Sequence, residues 1–463
     1  MLNNVTLACP NSDKFSSVQS ETMLRSLIFR TLIVNCGINA LGLFNSILLS
    51  HWLGPVGRGE IAAAMLWPML LAYLFSAGII SSTAYFSAAR GPKVQSIFSN
   101  AMALAMIQSA VALVVGYVAL PYLLGSQSAN VVSVARLYLL VIPITLSTQY
   151  GTSILQGRMH MSAFNWLRTI IPLGYLAGTI ALAMAGKLIL LNIVILHLSL
   201  TAATWLGAMA ALLRFGIRPS FQPETGLGKE MLRYGAKVQV GNVSGFANQS
   251  LDQVLMAAWL PPAYLGLYVV AVSSASISQV FSQAVQTVST PSITQRQTNS
   301  ERAAVLQGVF RRYWLLSLLG SLAISAVLPI AIPIVFGIRF TPAIWPAEVL
   351  LLGTLLGGAR AVLAGGAQAL GDPWLGSKAH LGALVVTVLL LYLLLPMMGI
   401  IGAAIATASA CGMELLIVVA GLRSSHSIPA MNLFRPRAGD LSSAFRVFDV
   451  FRAKRESLLP DQG

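Results

Sequence analysis

Trp52–Ala64 reads WLGPVGRGEIAAA, and 207 residues later Trp259–Ala271 reads WLPPAYLGLYVVA. Trp, Leu, Pro, Gly and Ala coincide at five of the thirteen positions. Each copy joins the end of one long apolar run to the start of the next. A repeat at fixed offset in an apolar chain points to a membrane protein built by duplication, a transporter plan in which the substrate lies between the halves.

Composition supports that reading. Hydrophobic residues make up 56% of the 463-residue chain and charged residues 9%. A soluble domain carries about 25% charged residues, so this is an all-α integral membrane protein. Three cysteines, two of them (Cys36 and Cys411) inside apolar runs, give neither a disulfide framework nor metal-ligand spacing. Residues 1–25 are polar and lack an apolar core beside a cleavage site, so they read as a cytoplasmic tail.

A run of about 20 apolar residues crosses a bilayer as a helix, because every backbone polar group there is bonded internally. Such runs fall near 26–50, 61–88, 98–124, 131–155, 164–186 and 188–213, then 234–259, 263–291, 313–337, 346–370, 376–396 and 399–422. The expectation is twelve transmembrane helices in two pseudo-symmetric six-helix bundles, 26–213 and 234–423, around a central cavity. A cytoplasmic linker, 214–233, joins them, with Pro219, Pro223 and Gly226 breaking any helix. A basic cytoplasmic tail follows at 424–463.

With both termini placed in the cytoplasm, 21 of the 29 Lys and Arg fall in the tails and cytoplasmic loops. Only Arg58, Arg136, Lys187 and Arg339 lie at the opposite face, and Arg30, Arg168, Lys237 and Arg360 lie within spans. That asymmetry fixes the orientation and absorbs most of the net charge of +15 without nucleic acid. The basic tail can also touch anionic membrane lipids.

Charges at bilayer depth cost about 2.5–3.5 kcal/mol on insertion scales, so they face a polar cavity or a partner. Arg30 and Lys237 are separated by the same 207 residues as the repeat, which places them at equivalent points of the two halves. With Arg168 and Arg360 they suit a cavity that holds an anion, phosphate oxygens above all. The competing reading for Arg30 and Lys237 is snorkelling to the headgroups. Asp252 and Glu414 are the acids well inside apolar runs. Each is a candidate for H+ or Na+ coupling, or for neutralising a buried Arg. Asn39 in the first span and Asn242 in the seventh, among several amides there, either meet sugar hydroxyls or link helices. Pro68, Pro143, Pro172, Pro329 and Pro333 are hinges or merely tolerated kinks. His197 suits a hydrogen-bonded packing role better than a proton relay.

Four segments carry a resemblance. WLGPVGRGEIAAA resembles an LGPxGxGxxAxA segment, and PIVFGIRFTPAIWPAEVLLLGTLL (Pro333–Leu356) resembles the approach to a tenth span. GGAQALGDPWLGSKAHL (Gly365–Leu381) is similar to an ALGxP connection, and GIIGAAIATASA (Gly399–Ala410) to the small-residue start of a twelfth span. Together they resemble the Wzx-type polysaccharide flippase family, in the superfamily shared with multidrug and toxic-compound extruders. The resemblance implies two bundles around a cationic cavity open alternately to each side of the bacterial inner membrane. It implies a polyprenyl-diphosphate-linked oligosaccharide as substrate, for O-antigen, exopolysaccharide or capsule. Polysaccharide polymerase or export machinery would be the neighbouring partner, and no cofactor is implied beyond a coupling ion.

Two alternatives have discriminating features. Drug extruders of that superfamily often carry an acid in span 1; here that run has Asn35, Asn39 and Asn45, with no Asp or Glu. A membrane glycosyltransferase or polymerase needs a catalytic domain or a large loop bearing acids and bases. No loop here exceeds about 22 residues, so the chain is not expected to be an enzyme.

Overall fold

The computed structural model describes residues 12–89, 94–218, 224–294, 296, 298–372 and 374–435. Within them the side chains of 12–30, 32, 225, 240–242, 280, 284, 287–292 and 294 are not described. Every regular element is helical. In chain order they are α1 Ser12–Phe75, α2 Ile79–Ala88, α3 Val94–Leu123, α4 Ala129–Tyr138, α5 Val141–Gly157, α6 Met161–Met184 and α7 Leu190–Arg214. There follow α8 Thr225–Trp259, α9 Pro262–Ala275, α10 Ile277–Thr294, α11 Asn299–Val335, a 3-10 turn Ile338–Ala343, α12 Ile344–Ala369, α13 Trp374–His426 and α14 Ala430–Phe434.

Nine stretches among the described residues are long and apolar enough to cross a membrane. Two of them contain sharp breaks. In α1 the backbone leaves the helix at Gly54 (φ 67°), and in α13 at Gly399 (φ 58°), left-handed angles that glycine adopts without Cβ strain. A straight 53-residue helix would be about 80 Å long, far beyond a bilayer core of roughly 30 Å. The chain folds back instead. A Cβ on Gly402 would strike the carbonyl oxygen of Leu394, eight residues earlier, which only a hairpin allows. Arg58 Nη2 likewise reaches Ser46 Oγ, 12 residues back, at 3.4 Å.

Other boundaries follow from local chemistry. Ala77 (φ 47°) and Gly78 (φ 72°) interrupt the path between α1 and α2. Pro143 does not kink a helix: it is the third residue of α5, where a missing N–H costs nothing. Ser128 caps α4 by accepting from Val131 N. Three features differ from the sequence reading. Gly226, expected to break any helix in the linker, lies in the first turn of α8, so a helix occupies the end of that linker. The first helix starts at Ser12, so a helix occupies part of the expected N-terminal tail. The start of the expected C-terminal tail is docked: Ile428 and Leu433 are buried, and α14 sets Phe434 edge-on to Phe310 and Trp314 of α11.

The main apolar core joins the two repeat copies. Ile61, Ala63 and Ala64 share it with Leu265, Val270 and Ala271. The copies meet reciprocally. A Cβ on Gly59 would collide with the Pro262 carbonyl, and one on Gly266 with the Pro55 carbonyl. Because Pro55 and Pro262, like Gly59 and Gly266, are 207 residues apart, this is the contact pattern a twofold axis between the copies generates.

Candidate functional site

Two concavities lie beyond that crossing. The first is a crevice of about 860 Å³ between α1 and the α9–α10 junction, lined by Cys36, Asn39 and Leu43 on one wall and Ser276, Gln279 and Gln283 on the other. Toward the Trp52/Trp259 end the two walls are tied by a 3.1 Å hydrogen bond between the Ser46 and Ser273 hydroxyls. Away from that end they part, leaving Cys36, Asn39, Gln279 and Gln283 exposed.

The second is a polar cavity of about 430 Å³ among α8, α9, α10, α12 and α13. Ser276, Gln279 and Gln283 line both, so the crevice and the cavity are continuous. The stretch of α9–α10 around the junction of the two helices at Ser276 is their shared wall.

Four side chains form one network in the cavity. Arg360 Nε lies 3.1 Å from Glu414 Oε2. His380 Nδ1 is 2.6 Å from Glu414 Oε1, and Asn248 Nδ2 donates to the same oxygen at 3.0 Å. Arg360 Nη1 is 3.2 Å from His380 Nε2. A guanidinium has no acceptor, so Nε2 must carry the lone pair and Nδ1 the proton that goes to Glu414. The imidazole therefore bridges cation and carboxylate as the neutral Nδ1–H tautomer. Thr387 Oγ1 donates to Asn248 Oδ1 at 3.3 Å and holds the amide in its role.

Asp252 stands on the same cavity but has a different environment. Its carboxylate accepts from the Tyr268 hydroxyl, from Thr407 Oγ1 at 3.0 Å and from the backbone N–H of Gln253 at 2.7 Å. Three donors describe a carboxylate held by hydrogen bonds.

The sequence-predicted residues divide accordingly. The structure brings Arg360, Glu414 and Asp252 to one cavity, and Asn39 to the adjoining crevice. Lys237 and Arg168 are exposed, with the Arg168 guanidinium 5.3 Å from the Phe164 ring. Arg30 and Asn242 lie outside the described side chains. His197 packs as expected, 2.9 Å from the Tyr138 hydroxyl. Sequence reasoning missed His380, Asn248, Tyr268 and Thr407. A signal existed for His380, an imidazole four residues into an apolar run. Arg58, assigned to an external loop, folds back toward Ser46.

The opposite lateral seam is closed. Tyr73 stacks on Phe246 and Tyr85 on Tyr234, with ring centroids 4.3 and 4.6 Å apart. Between these stacks Gly78 and Gly235 bring backbone against backbone, and Gln239 Nε2 donates to the Tyr73 carbonyl at 3.0 Å. Under the 207-residue offset this seam corresponds to the open crevice: Phe246 is the counterpart of Asn39, and Gly78 of Val285. Aromatic stacks and facing glycines zip this side, whereas Asn39 and Val285 stand in the places of Phe246 and Gly78 on the other.

Comparison with known proteins agrees with this architecture. The chain is 24% identical over 274 residues to the probable low-salt glycan biosynthesis flippase Agl15 of Haloferax volcanii, a match covering 58% of this chain and 57% of that protein. The chain thus matches a little over half the length of that relative. Its fold is similar to the lipid II flippase MurJ in an inward closed conformation, with TM-score 0.73 and 15% identity, over 91% of this chain and 93% of that one. It is also similar to a multidrug resistance MATE family transporter of the MOP superfamily in its inward-facing conformation, with TM-score 0.69 and 15% identity, over 86% and 98% of the two chains. These structural likenesses give the fold, that of an all-α, multi-pass membrane protein. The profile of one family, described as polysaccharide biosynthesis protein, matches residues 25–297, more than half the sequence, and the chain belongs to that family.

Proposed function

We propose that the chain is a flippase that carries a polyprenyl-diphosphate-linked oligosaccharide across the cytoplasmic membrane by alternating access. The observation that carries this reading is the continuity of a lateral crevice with a polar cavity. An amphipathic substrate needs that combination. Its sugars and diphosphate cannot cross hydrocarbon unaided, since buried polar groups without partners cost several kcal/mol each. Its polyprenyl chain gains nothing by leaving lipid. A cavity open sideways lets the headgroup cross while the tail stays outside. The glycan flippase and lipid II flippase among the similar proteins support the same substrate class.

In this reading the arms of α1 and α13 on either side of Gly54 and Gly399 count as separate crossings. With the 35-residue α8 they make twelve, six in each half. The Gly59–Gly266 crossing seals the extracytoplasmic end and the crevice admits substrate from the cytoplasmic leaflet. Asn39, Gln279 and Gln283 meet sugar hydroxyls, and Asn242, outside the described side chains, is a further candidate for the same role. Arg360, with the sequence-predicted Arg30, Lys237 and Arg168, attracts the diphosphate; Glu414 is the coupling carboxylate, and Asp252, held by Tyr268, Thr407 and the Gln253 N–H, has a structural role. No bond is made or broken.

Deleting the gene in its own host tests the proposal. Loss of surface glycan with accumulation of its lipid-linked precursor on the cytoplasmic leaflet is the expected result. Unchanged surface glycan and no precursor accumulation would refute it.

A further inference from the structure

We propose that the Arg360–His380–Glu414 cluster is an anion–proton exchange site: an oxyanion of the substrate takes the Arg360 guanidinium from Glu414, and His380 takes up a proton as it does so. This rests on the reading of the cavity as the path of an anionic headgroup. The cluster has the parts for it. Arg360 is the more accessible partner, its side chain 18% exposed against 6% for Glu414, so the guanidinium is the group an arriving anion meets. A tetrahedral oxyanion accepts two parallel N–H bonds from that fork, more than the single 3.1 Å approach Glu414 makes to Nε.

Moving Arg360 has a consequence at His380. Its Nε2 lone pair now faces the Arg360 Nη1 donor at 3.2 Å, where a further proton would clash. Once the guanidinium turns to the anion, Nε2 is open and Glu414 has lost its cation. A buried carboxylate without a counter-charge is costly, and an imidazolium restores the pair through the 2.6 Å Nδ1 contact already present. The balance is simple. One oxyanion binds Arg360, one proton from the cavity water joins Nε2, and both leave together. The groups facing His380 are Arg360 from α12, Glu414 from the second arm of α13, and Gly245 and Asn248 from α8. Asp252, across the cavity, keeps its oxygens on Tyr268, Thr407 and Gln253 and stays outside the exchange.

Calorimetry on the full-length protein in lipid nanodiscs tests this, with sulfate as the probe because it carries no titrating proton near neutral pH. Repeating the titration in buffers of different ionisation heat counts the protons. Wild type should take up about one proton per sulfate, by linkage. His380→Gln should bind sulfate with uptake near zero, and Arg360→Gln should lose the binding. Glu414→Gln, which frees the guanidinium, should bind on the order of tenfold tighter without uptake, and it decides the matter should His380→Gln fail to fold. Sulfate binding without proton uptake in wild type, uptake unchanged in His380→Gln, or weaker binding in Glu414→Gln would each overturn the proposal. A protein that flips lipid-linked glycan but takes up no proton overturns the exchange alone. Proton-linked sulfate binding in a protein that flips nothing overturns the flippase reading alone.

Discussion

Gly59 and Gly266 lie back to back: a β-carbon on Gly59 would strike the carbonyl of Pro262, and one on Gly266 the carbonyl of Pro55. The first prediction follows from that fit. Gly59→Ala forces backbone apart rather than a flexible side chain, so it should destabilise by about 1–3 kcal/mol, as overpacking does. Gly59→Leu should also abolish transport, because the arms of the two copies can no longer close. The unfolding midpoint in detergent and a flipping assay check both, and an unaltered midpoint for Gly59→Leu would show that the crossing is not tightly held.

A second prediction concerns the Arg360–Glu414 pair. Removing one partner leaves a buried charge uncompensated, so Arg360→Gln or Glu414→Gln alone should cost about 2–4 kcal/mol. The double substitution should cost distinctly less than the sum. A double-mutant cycle on unfolding free energy reads this coupling directly; additive costs would mean that the pair is not energetically linked.

The two lateral seams should respond oppositely to locking. A cysteine pair replacing Tyr85 and Tyr234, whose rings stack at 4.6 Å, should crosslink and leave transport largely intact. A pair replacing Asn39 and Gln279, across the crevice, should block transport when bridged with a short bifunctional reagent and recover when the bridge is cleaved. Equal inhibition by both bridges would contradict the assignment of one fixed and one working side.

Asp252→Asn changes an acceptor held by Tyr268, Thr407 and the Gln253 N–H into a group that also donates. Placing donors against donors should cost about 1–3 kcal/mol. Adding Tyr268→Phe removes one of the opposed donors and should return part of that loss. Thermal unfolding of the single and double variants checks it. If the role is coupling instead, the pH or sodium dependence of transport changes while stability does not.

Much of this fold was legible before any coordinates. The WLGP and WLPP segments announced a duplication, and the structure packs the two copies against each other through their equivalent glycines. The long apolar runs marked the membrane-capable helices because lipid excludes unpaired polar backbone. Partnerships were harder to read. Arg360 and Glu414 were each visible as charges in apolar runs, but 54 positions apart nothing linear pairs them. His380 drew no reading from the sequence, because its partner Glu414 comes from the far arm of a helix that folds at Gly399. Asn45, the counterpart of Asp252, resembles it in sequence alone: its Oδ1 is buried without a hydrogen-bond partner, whereas Asp252 has three donors. The site is asymmetric where the sequence offset suggested symmetry.

The most direct measurement is a reconstituted flipping assay. Purified protein is placed in vesicles whose two leaflets both hold a fluorescent polyprenyl-diphosphate oligosaccharide, and a membrane-impermeant reagent then attacks the headgroups from outside. The account predicts that the label reached rises from the outer-leaflet share in protein-free vesicles to nearly all of it, and falls back when Asn39 and Gln279 are bridged. Label that stays at the protein-free level with correctly folded wild-type protein would contradict it.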